Sequence, residues 1–508
     1  MPKFSFRQIN YLKFSCIALT VAVYFLRLDS NVGLMVDDSW YVLLAKSISE
    51  GHGYHLINST APQTIPLYPP GYPAILSFIW SFNPNFPNNV IAMKLVSLVA
   101  LALTWKLLLH LNRQYFQAPE VMNWLITTTL MLTPLLVYYA TSTLMSECIF
   151  LLLQTLVIVL CFKAEKAGGK KWIVAIGLIA GFASIIRIVG IVLIVAGTLT
   201  FLLRKKFGAA TIICCLGFIP IGIWTAYSRS PAPIAPEERS NYAANNYLFH
   251  FLRSDENNLT SPNVTASEFG HRIGKNFYDL IASSFGNLFA PYLSPKRFPA
   301  AIVVSFMIAF ILCIGLVQSI RNNLNFIEIY VLISLLLILG WGYNPTRFLV
   351  VLMPILLQYF VVGIGWFAEK TNSQKANLQL LIISLILLGF VGVHLAVINV
   401  KYNLPFSARL KNQFVMFEQQ NNFDEIIQWM QKNIPANEVI ATDVPALIFL
   451  HTNHRTVHLI DPEKDRELWQ QLGIRHVVLS GIATAHPLDG FQLLFSTNDQ
   501  KAFIYQVQ

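Results

Sequence analysis

The sequence predicts an all-α, polytopic membrane protein with a small α/β unit at its C-terminus, and three observations lead there. Hydrophobic residues make up 55% of the 508-residue chain and charged residues only 12%, about half the share a soluble chain carries. Apolar runs near the ~20 residues that cross a bilayer recur as far as Val400. Beyond about Lys401 the pattern changes to short strand-like and helix-like pieces.

Taken in order, the apolar runs are Leu12 to Leu28, Val90 to Leu111, Val121 to Ala140, Ile149 to Phe162, Trp172 to Ile186, Ile188 to Leu203, Phe207 to Tyr227, Phe298 to Ile320, Phe326 to Trp341, Phe348 to Phe367 and Leu378 to Val400. They predict about eleven transmembrane helices. Read as one helix, Trp172 to Leu203 would be roughly 48 Å long at ~1.5 Å per residue and would bury Arg187 near its middle. Two short helices with Arg187 at the turn fit better.

Basic residues in the short connections set the orientation. Lys163, Lys166, Lys170 and Lys171 follow the fourth run, Arg204, Lys205 and Lys206 the sixth, and Lys370 and Lys375 the tenth. The positive-inside rule places these and the N-terminus in the cytoplasm. The loop 29–89, the Arg187 turn, the long segment 228–297 and everything after Lys401 are then expected outside, in a plasma (inner) membrane. Residues 1–400 read as the membrane domain and 401–508 as an extracytoplasmic α/β domain. In the latter, a helix at Phe423 to Lys432 precedes strands at Glu438 to Ala441, Thr456 to Ile460 and His476 to Leu479, with a helix-like piece from Pro462 to Leu472.

The net charge of +10 falls in these clusters rather than along one polar stripe, so nucleic acid is not an expected partner. The six cysteines lie in or beside apolar segments without metal-site or disulfide spacing. Lys3, Arg7 and Lys13 before the apolar stretch Phe14 to Leu28 suit a signal peptide, but no small-residue cleavage site follows, so the stretch reads as part of the first span. Asn58, Asn258 and Asn263 each open an Asn-x-Thr triplet in segments expected outside. No internal repeat is present.

The chemistry concentrates in the first of these loops: Asp37, Asp38, Ser39, Trp40 and Tyr41, then Ala45, then Gly51-His52-Gly53-Tyr54, then Tyr68-Pro69-Pro70-Gly71-Tyr72-Pro73. Adjacent carboxylates just beyond a span are costly to desolvate and tend to mark function. They can equally cap a helix that runs through Tyr41, Leu44 and Ile48. Arg187 and Arg347 suit phosphate oxygens, through the guanidinium fork, or an ion pair with Glu147. His52, His55, Trp40, Tyr41 and Tyr54 suit a sugar site, and such aromatic and histidine side chains equally suit an interfacial belt. Asp37, Asp38 and Glu147 could hold a divalent ion, but three carboxylates over two loops carry little weight.

The spacing of this loop resembles that of the GT-C transferases that include protein O-mannosyltransferases and lipid-A aminoarabinose transferases: an Asp pair, Tyr four residues on, Ala four further, a Gly-rich helix end and then the YPPGYP turn. Glu147, Arg187, Arg347 opening RFLVVLMP, the span count and the C-terminal unit extend the likeness more loosely. The resemblance implies a GT-C fold and an inverting glycosyltransferase that takes sugar from a polyprenyl-phosphate donor, with a lipid, glycan or protein hydroxyl as acceptor. It implies Asp37 as general base, with Asp38 beside it, and Glu147, Arg187, Arg347, Tyr41, His52 and Tyr68 in contact with substrate. No metal or other cofactor is expected. An ordinary aspartate titrates near ~3.9, so such a base works by position. One departure is clear: Leu67 and Tyr68 stand where the aminoarabinose transferases place Glu and Lys, which removes a phosphate-binding lysine and argues against a lipid-A acceptor. A multi-span transporter or flippase would show related halves with charges at the midplane, whereas here the charges gather at one end. A polymer ligase using a diphosphate-linked donor would share the site, and the first-loop motif argues against it.

Overall fold

The structure is a computed structural model that describes residues 5–61, 64–228, 241–255, 261–293, 298–343, 345–372, 374–401, 418–459, 466–480, 488 and 490–507. Each of the eleven apolar runs is helical. Among the described residues, seven helices are long and apolar enough to cross a membrane: α1 (Phe6–Arg27), α4 (Val90–Gln114), α7 (Glu147–Ala167), α10 (Phe207–Ser228), α14 (Ala300–Asn322), α16–α17 (Thr346–Lys370) and α18 (Lys375–Lys401). An eighth span is the bent pair α5 (Glu120–Met131) and α6 (Pro134–Thr141), which turns by 55°. Pro134 has no N–H to give the preceding turn, so the helix restarts there.

The other three runs form shorter helices, α8 (Lys170–Ile186), α9 (Ile191–Leu203) and α15 (Phe326–Gly340). The expected break at Arg187 is present: its backbone is extended (φ −145°, ψ 132°) between α8 and a single 3-10 turn that leads into α9. Large apolar side chains such as Val99 and Leu103 on α4, Val303 and Phe310 on α14, and Leu381 and Leu388 on α18 are exposed. Facing outward from long apolar helices, they meet lipid. The chain is a multi-pass membrane protein.

The connection after α1 carries two short helices, α2 (Asp37–Ser49) and α3 (Gly71–Phe82). It is pinned at its root by a fully buried ion pair: Lys94 Nζ lies 2.9 Å from Asp29 Oδ1. Lys94 also donates to the carbonyls of Asp29 and Asn31, and Ser142 donates to Asp29 Oδ2 at 2.8 Å. Burial of both charges is tolerable because every group has partners. The segment after α10 contributes α11 (Tyr247–Leu252), α12 (Ala266–Asp279) and α13 (Phe285–Phe289); residues 229–240, 256–260 and 294–297, and with them Asn258, lie outside the described residues.

At the C-terminus, α19 (Glu418–Asn433) and α20 (Pro445–Thr452) pack beside a five-stranded mixed sheet of order β2-β1-β3-β5-β4. Here β1 (Ile440–Thr442), β2 (Thr456–His458) and β3 (His476–Leu479) are parallel, and β4 (Gln492–Ser496) and β5 (Phe503–Gln506) add an antiparallel edge. The parallel half matches the sequence reading, as does a helix α21 (Arg466–Gln471); residues 460–465 of that stretch lie outside the described residues. This unit rests on the first loop, where Thr456 N–H donates to the Asn58 carbonyl at 2.8 Å and the rings of Phe86 and His451 meet edge to face. Asn58 is itself buried and donates to Thr456 Oγ1, so its triplet is not on offer to a glycosylating enzyme in the folded protein.

Candidate active site

The site is built on the N-terminus of α2. Its free backbone N–H groups favour carboxylates in the first turn, and Asp37 and Asp38 occupy it. The preceding Val36 has φ +54°, a conformation that β-branched residues avoid and that costs about 1–3 kcal/mol. Asp37 and Asp38 are successive residues of α2, so their side chains point about 100° apart. Asp38 turns inward, fully buried, and accepts from the N–H groups of Gly33 (3.0 Å), Ser39 (3.0 Å) and, at 3.4 Å, Met35. Burial lifts its carboxyl to about 6, against the lowering effect of the Gly33 N–H and of Lys94. Asp38 fastens the loop on itself.

Asp37 faces the other way. Its Oδ1 accepts from the Tyr68 hydroxyl at 2.9 Å, and its Oδ2 pairs with Arg347 Nη2 at 2.6 Å. Arg347, from α16 (Thr346–Leu349), also reaches Glu147 Oε1 through Nε at 3.3 Å. The same Glu147 oxygen receives Arg187 Nη1 at 2.7 Å, and Arg187 donates to Ser146 Oγ at 3.1 Å. Glu147 sits at the N-terminus of α7 and is 1% exposed, while Arg347 is 28% exposed. The chain Arg187–Glu147–Arg347–Asp37–Tyr68 is buried at both Glu147 and Tyr68, with Arg347 its most exposed member, and its two acidic and two basic groups balance.

Tyr41, one turn along α2 from Asp37, is buried and packs edge-on against Tyr68 and Tyr72, each with ring centroids 5.0 Å away. Tyr54 donates to the Tyr68 carbonyl at 2.9 Å and so holds the YPP turn. Of the residues the sequence singles out, Asp37, Glu147, Arg187, Arg347 and Tyr68 meet in one network and Tyr41 supports it. His52 does not join them. It lies beyond the far end of α2, roughly 20 Å along the axis from Asp37, and its half-exposed ring faces Glu50 at 3.7 Å.

Sequence reasoning passes over two features. One is a small apolar cavity of about 60 Å³, open on one side, beside the network; Arg187 and Arg347 share its lining with Ile188, Leu337, Trp341 and Phe348. The other is an aromatic group from the long loop. The Ala243 carbonyl accepts from Leu67 N–H at 2.6 Å, which brings Tyr242 within 6.1 Å of Tyr343, and Tyr247 lies 6.3 Å from Trp341. Burial pushes the Tyr242 and Tyr247 phenols well above their ordinary value. Their only sequence signal is aromatic density in a loop. Among the described residues no three His, Cys, Asp or Glu side chains stand close enough to share a metal ion.

The bundle, the folded first loop and the small mixed sheet together form the GT-C fold of membrane glycosyltransferases. Among solved structures the chain is similar to apo ArnT from Cupriavidus metallidurans, at 12% identity over 97% of each chain with a TM-score of 0.53. ArnT from the same organism bound to undecaprenyl phosphate aligns over the same shares at 12% identity with a TM-score of 0.47. At this identity the likeness is one of fold. No protein-family model matches the chain, and no curated protein matches it significantly.

Proposed function

We propose that the protein transfers a sugar from a polyprenyl-phosphate donor to a hydroxyl of a lipid, glycan or protein acceptor on the extracytoplasmic side of a plasma (inner) membrane, with residues 1–400 as the catalytic domain. The observation that carries this reading is the meeting of two arginines and a carboxylate at the edge of an apolar cavity. A lipid-linked sugar phosphate has the matching parts: an isoprenoid chain for the apolar walls, a phosphate for the guanidinium groups and an anomeric carbon just beyond them.

In this mechanism the acceptor oxygen attacks the anomeric carbon as its proton passes to Asp37, and the bond from that carbon to the phosphate oxygen breaks. Displacement from the face opposite the leaving group inverts the anomeric centre. The polyprenyl phosphate departs with the bonding pair, and Arg347 and Arg187 take up its growing charge, the kind of stabilisation that generally dominates such steps. Arg347 is well placed to change partners, because it is the more exposed arginine and already divides its donors between Asp37 and Glu147. Phosphate binding would draw it from Asp37 and leave that carboxylate free to accept a proton. The step calls for no metal and no general acid, since a lipid phosphate is already a good leaving group.

Purified protein in nanodiscs, offered either a polyprenyl-phosphate sugar or a nucleotide sugar together with an acceptor extract, tests the reading. Transfer is expected from the lipid-linked donor alone. Transfer from the nucleotide sugar without any lipid carrier would refute it.

A further inference from the structure

The C-terminal unit does more than decorate the bundle. Five consecutive residues of α20, Ala446 to Leu450, are all buried, which is unusual for a helix of a small surface domain. One side faces the sheet and the other faces the first loop, where α20 packs against α2. The contact falls on Gly33. This residue has φ +95°, and a β-carbon there would lie 2.6 Å from Leu447 Cδ2, so the bare backbone of the loop is seated directly on the leucine side chain.

Gly33 is the residue whose N–H donates to Asp38 at 3.0 Å, and between them Val36 is held at positive φ. A strained reversal of this kind persists only where its surroundings over-determine it. Leu447 closes the loop from outside, as Lys94 and Asp29 do from inside. The register is locked a few residues away. Thr456 receives the Asn58 amide at 3.0 Å, donates its own N–H back to Asn58, and donates its hydroxyl to the carbonyl of Pro445, the first residue of α20.

We infer that Leu447 is a positioning residue: through Gly33 and the strained Val36 turn, the C-terminal unit sets the direction in which Asp37 points. The inference rests on the reading of Asp37 as the general base. It gives the unit a role in turnover that requires no contact between it and substrate.

The test uses the full-length protein in nanodiscs and polyprenyl-phosphate sugar with an acceptor extract. Leu447→Ala removes the seat, and kcat is expected to fall about tenfold, since a misplacement of about 1 Å can cost up to ~10²-fold. The donor KM should stay within about twofold, because the arginines and the apolar cavity are untouched. Leu447→Met, of nearly equal volume, should restore most of the rate. In an Asp37→Asn background the Leu447→Ala change should add less than about twofold, because there is no base left to aim. A wild-type kcat in Leu447→Ala, or losses that simply multiply in the double variant, would overturn the inference. Should Leu447→Ala fail to fold, Leu447→Val is read in its place by the same criteria. Full activity in Asp37→Asn alone would instead remove the base beneath it, whatever the leucine does.

Discussion

Replacement of Asp37 by asparagine separates the chemistry of the site from its architecture. Asparagine has the same size, and its carbonyl can still accept from the Tyr68 hydroxyl now bonded to Oδ1 at 2.9 Å. Its amide nitrogen would stand where Oδ2 now meets Arg347 Nη2 at 2.6 Å, so two donors would face each other and the ion pair would be lost. Arg347 would keep its bond to Glu147. The cost in stability should be that of one partly exposed charged hydrogen bond, at most about 1.5–3 kcal/mol. The cost in turnover should be larger. Loss of a positioned base is worth about 10²- to 10⁴-fold in kcat, or about 3–5 kcal/mol at 1.36 kcal/mol per decade. Donor KM should hold or fall, because Arg347 is released from a competitor for the phosphate. Initial rates with a labelled polyprenyl-phosphate sugar in nanodiscs give kcat and KM separately, and a melting curve on the same sample shows that the fold survives. Full turnover in Asp37→Asn would refute the mechanism, and a greater loss in Asp38→Asn would move the base to Asp38.

Arg347→Ala should strongly reduce lipid-dependent transfer and raise donor KM by about tenfold or more, since it removes the more exposed of the two cavity arginines; an unchanged KM would exclude the phosphate role. The Asp38 carboxyl, lifted by burial from 3.8 to about 6, binds a proton more tightly in the folded than in the unfolded chain. Its contribution to stability is therefore complete below about pH 4 and is lost as pH rises through about 6; melting curves across that window should show the decline, and Asp38→Asn should flatten it. A single cysteine at the exposed Asn437, in a protein otherwise free of cysteine, should react with an impermeant reagent added to intact cells; reaction only after permeabilisation would reverse the orientation derived from the basic loops.

The fold was legible because its signals are local. Each apolar run reports its own helix, and Arg187 inside a stretch too long for one span reports the break between α8 and α9. Span adequacy was less so: α8, α9 and α15 are apolar, yet shorter than a full crossing, and hydropathy counts them like the rest. In the C-terminal unit the parallel strands were visible as apolar runs. Helix α20 was not, because a helix buried on all sides has no period to read. The β4–β5 hairpin is not visible either, since its strands are only five and four residues long and show no period-2 alternation.

The site shows the same division between local and distant information. The spacing of Asp37, Tyr41 and the YPPGYP turn lies within one loop and could be read directly. The partners of Asp37 could not, since Arg347 is 310 positions away and joins Glu147 across 200. A charge at the end of a span announces only that something must neutralise it, and packing decides what. His52 shows the converse: an imidazole in the same loop suits a sugar ring, and the length of α2 carries it away from Asp37. Least legible was the difference between Asp37 and Asp38, adjacent carboxylates that composition treats alike. One is sealed inside the loop and the other is turned to the arginines because successive residues of α2 face different ways and the start of that helix is held in one orientation. The loop that leads into that helix is held from both sides, by Lys94 at its root and Leu447 against Gly33. The chemical identity of the proposed base is thus a product of contacts 65 and more than 400 positions apart in the chain, which no local reading of the motif could supply.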